Sequence, residues 1–388
     1  VSAAIIVPGG SSANGKAARW GNRWAAWRNR WSADPRLQRW VAAFPPTRFF
    51  ARRRARQTFD LVAGFVYSQV LQACVQLDMF ALLRATPLSM AQIARELQLA
   101  SDPARRLVEA AVALKLLERR GADEYGLGVL GAQLAGQPGV LAMIRHHAAF
   151  YADLTDPVAL LRGAQRHTTL GEYWPYARTD EPAALPTEEV TAYTRLMSAS
   201  QSFVADEVLD AFDFAGVKCL LDVGGGDGTF LAAVASRHPR LELKLFDLPA
   251  VVPLAQVRLA GRGLEQRVQV SGGDFFRDEL PRGADLISFV RVLHDHDDER
   301  VSRLLQAAAR ALAPGGAVLI AEPLAEAPGA ETMGGAYFAF YLLAMGRGRA
   351  RTAAEFAHLL AAAGFDMPTE IGTRLPLQTG LLVARLRR

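Results

Sequence analysis

From Val217 onward the chain alternates short apolar runs with helical stretches. The runs are KCLLDVG, LELKLFDL, RVQVSGGD, ADLISFVRVL and AVLIAEP. Strands that alternate with helices in this way build a parallel sheet covered by helices on both faces, an α/β fold. The closing GLLVARLR reads as one further strand. Open sheets of this type hold ligands beyond the carboxyl ends of their strands, so the residues that end each run are the candidates for a site.

Three of those ends are distinctive. The first run closes in DVGGGDGTF, Asp222 to Phe230, where Gly224, Gly226 and Gly228 form a GxGxG turn ahead of a helix expected near Thr229. Glycines there let the backbone approach a ligand closely, although such a turn is also an ordinary tight connection, and it departs from the GxGxxG of dinucleotide enzymes. Asp247 and Leu248 close the second run, and Asp274 and Phe275 the third. A carboxylate after the second strand can accept hydrogen bonds from both hydroxyls of a ribose, while Asp274 with Phe275 suits an adenine amino group and ring. Asp222 and Arg291 complete this candidate set.

The preceding region reads differently. FDLVAGFVYSQVLQACVQLDMFALL has apolar residues at helical intervals, and SMAQIARELQLA and SDPARRLVEAAVALKLLERR follow as helices. Ser101 and Asp102 are the expected caps of the latter, with Pro103 in its first turn. GADEYGLGVLGAQL offers a glycine-rich hairpin, and helices followed by a small wing make the pattern of a winged-helix module. The helix in the recognition position sets Arg105, Arg106 and Lys115 against Asp102 and Glu109, which is weak positive charge for DNA. A packing or dimerisation unit is therefore expected, with no nucleic-acid partner. Cys74 and Cys219, each in an apolar run, provide neither a disulfide framework nor a cysteine-rich zinc site, which fits a reducing cytosol.

These motifs together resemble the class I methyltransferases that use S-adenosylmethionine. Within that class they are most similar to the cation-independent O-methyltransferases, which join a winged-helix dimerisation domain to a Rossmann-like sheet with helices on both faces. The resemblance runs from about Phe59 to Arg388. It implies S-adenosylmethionine as cofactor, with the glycine turn against its methionine and ribose portion, and a homodimer. Three segments follow: an arm over residues 1–58, a helical winged-helix and substrate-wall domain over 59–205, and a cofactor-binding catalytic domain over 206–388.

Methyl transfer to oxygen is an in-line displacement, so the protein must align the acceptor and take its hydroxyl proton as the bond forms. ISFVRVLHDHDDER puts His294 and Asp295 just beyond the fourth strand, and AVLIAEP puts Glu322 beyond the fifth. With those strands adjacent, Glu322 would bond one imidazole nitrogen of His294 and leave the other facing the acceptor hydroxyl. The resemblance gives the matching HD pair and glutamate these roles. Asp297 and Asp298 read instead as a helix start. No metal is expected, because consecutive residues on a turn seldom converge on one ion. Where plant members carry a second glutamate in a GKERT-like segment, GRGRARTAAEF has Ala350.

Phe150, Tyr151, Trp174, Met197 and Phe340, the last within the apolar run Ala336 to Gly346, are expected to wall a hydrophobic acceptor pocket, though each would also suit an ordinary core. RRRARQTFDLVAGFVYSQVLQACVQLDMF, HHAAFYADLTDPVALLRG and YWPYA resemble the carotenoid O-methyltransferases of purple phototrophic bacteria. That resemblance implies the tertiary 1-hydroxyl of an acyclic carotenoid, demethylspheroidene or hydroxyneurosporene, as acceptor. Competing expectations are a polyketide phenol, a carbon acceptor in a bacteriochlorophyll precursor, or a DNA-binding regulator that uses the cofactor fold as a sensor.

The arm is unusual. Trp20, Trp24, Trp27 and Trp31 recur at spacings of four, three and four, which is one stripe of a helix. Residues 1–60 hold twelve basic residues against two acids, a net of +10, while the whole chain is +5, so residues 61–388 carry −5. Either the stripe lies at a bilayer with Arg19, Arg23, Arg28 and Arg30 on anionic headgroups, or it packs on protein. VSAAIIVPGG lacks the charged start and long apolar core of a signal peptide. Leu61 to Leu83 is interrupted by Ser68, Gln69, Gln72, Gln76 and Asp78, so it is not read as a membrane span. The expected location is cytoplasmic, at most peripheral on a membrane, with disorder confined to about the first fifteen residues.

Overall fold

The computed structural model describes residues 12–165, 167–174, 176, 179, 181–375 and 379–387, with residues 12–21 as backbone only. The segment expected to be disordered therefore lies mostly outside the described residues, as do the side chains of Arg19 and Trp20. The chain divides between Ala73 and Cys74 into two units.

The first unit holds α1 (Ser12–Ala33), α2 (Pro35–Ala43) and most of α3 (Arg48–Gln76). Asp34 starts α2 by accepting the Arg36 N–H at 2.7 Å, and Pro35 fills the first position, where its missing N–H costs nothing. By length and composition α3 is apolar enough to cross a membrane, and 17% of its most apolar stretch is buried. The polar residues that weigh against a span, Ser68, Gln69, Gln72 and Gln76, lie within this helix.

The second unit opens with α4 (Met79–Leu82), α5 (Met90–Glu96) and α6 (Ser101–Ala113) around a small antiparallel sheet. Its strands β1 (Leu88–Ser89), β2 (Leu117–Arg119) and β3 (Glu124–Leu127) pair in the order β1-β3-β2. The hairpin is displaced from expectation: β2 lies in the segment expected as helix, only β3 falls within GADEYGLGVLGAQL, and the second half of that stretch is helical. The caps of α6 differ from expectation. Ser101 and Asp102 lie inside the helix, whose cap position is Ala100 without a side-chain bond. Asp102 is one turn from Arg106 and pairs with it at 2.8 Å, a partner that competes for the carboxylate.

Five helices then lead to the large sheet: α7 (Val129–Ala135), α8 (Pro138–Asp153), α9 (Pro157–Leu161), α10 (Thr169–Tyr173) and α11 (Thr187–Ala211). α8 and α11 touch at Gly139, where a Cβ would stand 1.9 Å from the Ala199 carbonyl oxygen.

The large sheet contains β4 (Cys219–Val223), β5 (Glu242–Asp247), β6 (Val268–Gly272), β7 (Ala284–Val290), β8 (Leu312–Glu322), β9 (Thr369–Ile371) and β10 (Gly380–Arg385). Their order is β6-β5-β4-β7-β8-β10-β9. The five expected strands are the five parallel ones, and the closing run is β10, antiparallel to both β8 and the edge strand β9. Along β4, Cys219, Leu221 and Val223 enter one core, packed with Val301 and Leu304 of α14 (Asp298–Ala311) and Phe356 of α16 (Ala353–Ala362). Leu220 enters the other, with Val208 of α11, Phe230 of α12 (Thr229–Arg237) and Ala255 of α13 (Val252–Ala260). Both pleat directions are buried, which is why the run is apolar at every position except Asp222.

Because Gly139 lets two helices of this unit meet backbone to backbone, Gly139→Ala should lower the unfolding free energy by about 1–3 kcal/mol, the range for an overpacked contact. Urea denaturation of the variant beside the parent chain measures it.

Candidate active site

The parallel strands all end at one edge, and the glycine turn sits at its centre. Gly224 (φ +71°) and Gly226 (φ +58°) take left-handed conformations that side chains resist, and a Cβ on Gly224 would lie 2.7 Å from Val292. Asp247, at the end of β5, braces the turn: one carboxylate oxygen accepts the Gly226 N–H and the other the Leu248 N–H, both at 2.7 Å. Burial pushes this carboxyl up to about 6, and the two N–H donors oppose that rise. Asp274 is likewise buried and accepts the Phe276 N–H at 2.8 Å.

Above this edge lies a cavity of about 450 Å³. Of the expected cofactor residues it is lined by Gly224, Gly226, Asp247, Leu248, Asp274, Phe275 and Arg291. Asp222 and Gly228 are not in its wall. Asp222 points across the sheet, where its register partner Ser288 donates a hydrogen bond at 2.6 Å, and burial raises its pKa to about 7. Gly228 (φ +80°) precedes α12 and packs on Leu259. Both support the turn from beneath.

The acceptor candidates separate in the same way. Trp174 and Met197 line the cavity. Phe150, Tyr151 and Phe340 do not: Phe150 and Phe340 belong to the aromatic core around Tyr341 in α15 (Phe338–Met345), and the Tyr151 ring lies 6.2 Å from His147. Side chains absent from the expected set take their place. Tyr193, Thr194, Ser198 and Gln201 share with Met197 one face of α11, and the Tyr193 ring stands 4.2 Å from Trp174. Their i, i+4, i+8 recurrence in residues 187–211 was the available signal. Burial holds the phenols of Tyr176 and Tyr193 above their ordinary pKa, so this wall is polar but uncharged.

The catalytic candidates meet at the ends of β7 and β8. Glu322 is buried and takes three donors: the Val292 N–H at 2.8 Å and the Leu293 N–H at 2.6 Å on one oxygen, and His294 Nδ1 on the other. His294 Nε2 lies 3.1 Å from Asp295 Oδ1, out of line for a hydrogen bond. Asp295 lines the cavity, whereas His294 is buried one layer behind it. The expected open nitrogen therefore faces Asp295, because consecutive residues on a single tight turn place their side chains side by side. Burial disfavours the imidazolium, but the charges of Asp295 and Glu322 outweigh it and the His294 pKa is raised. Burial also lifts Asp295, to about 6. Asp297 caps α14 by accepting the Arg300 N–H at 2.8 Å, and Asp298 sits in its first turn.

A buried arginine, absent from the expected set, holds this loop. Arg351 donates to the carbonyls of Leu293 at 2.9 Å and His296 at 2.6 Å, and pairs with Asp298 at 2.8 Å. Three residues earlier, a Cβ on Gly348 would lie 2.1 Å from the His294 carbonyl oxygen. The segment carrying Ala350 thus lies against the catalytic loop through backbone and guanidinium.

Asp295 Oδ1, His296 Nδ1 and Trp174 Nε1 are buried at the cavity wall without a hydrogen-bond partner among the described residues. Together with the open space above Gly226 and the carboxylates of Asp247 and Asp274, they fit a ligand rich in hydroxyl, amino and ring groups. The fold and this edge define an α/β transferase of the nucleoside-cofactor type. The sequence pattern of the O-methyltransferase domain matches residues 151–366, and that of the O-methyltransferase dimerisation domain matches residues 59–134. The chain belongs to the S-adenosylmethionine-dependent O-methyltransferases.

Among its relatives, the demethylspheroidene O-methyltransferase of Cereibacter sphaeroides is 45% identical over 85% of this chain and 87% of its own length. That of Rhodobacter capsulatus is 38% identical over 90% and 86%. The crystal structure of human N-acetylserotonin methyltransferase in complex with SAM covers 86% of this chain and 98% of its own, with a TM-score of 0.70 at 26% identity.

Arg351→Lys keeps the charge and loses the fork that reaches two carbonyls and a carboxylate. A shift of the His294 loop by about 1 Å should lower kcat on the order of a hundredfold. Turnover measured beside calorimetric binding of S-adenosylmethionine, which should change little, separates a loop effect from unfolding.

Proposed function

We propose that this enzyme methylates the tertiary 1-hydroxyl of an acyclic carotenoid, demethylspheroidene or hydroxyneurosporene, with His294 as general base. The observation that carries the reading is the chain Glu322–His294–Asp295: Glu322 holds Nδ1 of His294, and Nε2 lies 3.1 Å from the carboxylate of Asp295, which lines the cavity. The acceptor class is supported by the two relatives named demethylspheroidene O-methyltransferase and by the aromatic, uncharged side chains of Trp174, Tyr193 and Met197 in the cavity wall.

Bound S-adenosylmethionine supplies an electrophilic methyl group. The residues at the β4, β5 and β6 ends, Gly224 and Gly226, Asp247 and Leu248, and Asp274 and Phe275, would hold it, with Arg291 at the rim. Arg291 is itself fixed by donating to Ser200 Oγ at 2.7 Å and to Met197 Sδ at 3.4 Å. Its left-handed backbone (φ +59°) is a strained conformation kept at a functional edge. On the acceptor side, the Asp295 carboxylate on the cavity wall accepts the hydroxyl hydrogen bond and takes the proton as the new bond forms, and a proton is handed on to His294 Nε2, 3.1 Å behind it. Glu322 fixes the tautomer with the proton on Nδ1 and stabilises the imidazolium that results. The chain acts as a homodimer through its dimerisation domain.

His294→Ala should reduce kcat by about 10²–10⁴-fold while leaving cofactor affinity within a few-fold. A near-normal rate would remove His294 from the mechanism. Products from labelled S-adenosylmethionine with 1-hydroxycarotenoids beside phenolic acceptors test the substrate.

The pH dependence has a definite sign. His294 accepts a proton only when neutral, and its pKa is raised above the ordinary value of about 6.5, so kcat should climb with pH through a limb above that value. Glu322→Gln removes one of the charges that raises it and should move the limb to lower pH. A pH–rate profile of both proteins checks the direction.

A further inference from the structure

The first unit carries an aromatic and basic surface that the two matched domains do not include. The matches begin at residue 59, and the exposed apolar side chains of α3 from there on, Phe59, Leu61, Val62 and Phe65, fall within the dimerisation domain. Before residue 59, Trp24 is 60% exposed, Trp27 53%, Trp31 48% and Trp40 58%, and Phe49 and Phe50 are 69% and 63%. Between Arg23 and Arg56 the chain has ten arginines and one acid, Asp34.

We infer that this surface, from Trp24 through Phe50, is a docking face for a bilayer with anionic headgroups. In α1 the indoles of Trp24, Trp27 and Trp31 share one stripe, and Arg23, Arg28 and Arg30 fall about 60–100° to either side of it at 100° per residue. That is the layout of an interfacial helix, with rings at headgroup depth and guanidinium groups on phosphates. The Arg28 guanidinium lies over the Trp24 ring at 5.6 Å, so cation and ring already occupy one level. Trp40 stacks on Phe44 at 5.3 Å and extends the aromatic surface through α2. Like charge disfavours a symmetric contact of this surface with its own copy, which would set arginines against arginines, and the row of indoles beside them matches a headgroup layer. The inference is independent of which acceptor the enzyme methylates.

The test is sedimentation of the full chain with vesicles of phosphatidylcholine alone or mixed with phosphatidylglycerol, followed by tryptophan emission. The parent protein should bind the anionic vesicles with a blue shift and release in high salt. Changing Arg23, Arg28, Arg30, Arg36 and Arg39 together to Gln should weaken that binding by about a hundredfold or more. Changing Trp24, Trp27, Trp31 and Trp40 together to Ser should lower the fraction that sediments with anionic vesicles by about tenfold or more. Circular dichroism and sedimentation velocity confirm that both variants keep their fold and dimer. Equal binding of parent and variants, no preference for anionic lipid, binding to duplex oligonucleotide in preference to vesicles, or a dimer lost with the tryptophans would each overturn the assignment.

Discussion

The buried carboxylate of Glu322 organises the site. Three donors converge on it, two backbone N–H groups and one imidazole nitrogen, and all three belong to consecutive residues Val292 to His294. A carboxylate out of water is costly unless its lone pairs are filled, and here the filling is done by the loop that must be positioned. The charge at the end of β8 thus fixes the conformation that follows β7, its parallel neighbour. The sheet register sets the geometry of the His294 loop through this one side chain.

Arg351 closes the loop from the opposite side. Glu322 satisfies the N–H groups and Arg351 the carbonyls of Leu293 and His296, so both polarities of the short segment have partners inside the protein. An ammonium could not do the same work, since the guanidinium reaches two carbonyls and Asp298 at fixed angles. The site therefore uses position 351 for positive charge next to Ala350, which supplies no second carboxylate. Among the described residues the imidazole has the Glu322 carboxylate at Nδ1 and that of Asp295 on the cavity side.

Much of this was legible in the sequence, because a parallel sheet encodes its own edge. Once KCLLDVG, LELKLFDL and RVQVSGGD are strands, Gly224, Asp247 and Asp274 must lie together, whatever the rest of the chain does. The residues that stand off the cavity wall do so because neither strand nor helix periodicity tells which way a side chain turns at the site. Asp222 is one residue short of the edge and bonds Ser288 within the sheet. Phe150, Phe340 and Trp174 all belong to the core around Tyr341, and only Trp174 of the three also reaches the cavity. Arg351 was invisible because its partners are backbone carbonyls 55 and 58 residues away, and a carbonyl leaves no trace in the residue alphabet.

The size of the cavity constrains how a long acceptor can be used. At about 450 Å³ it falls in the range that encloses a single small ligand, and its wall already includes the glycine turn and the carboxylates assigned to the cofactor. What remains beside Trp174, Met197 and Asp295 can enclose the hydroxyl-bearing end of an acceptor but not an extended polyene. Recognition at the site would then rest on the terminal carbons and their hydroxyl, with the remainder of such a substrate outside the cavity. An enzyme built this way would select by the chemistry of one chain end, with neutral phenols and an indole around the acceptor and the Asp295 carboxylate at its hydroxyl.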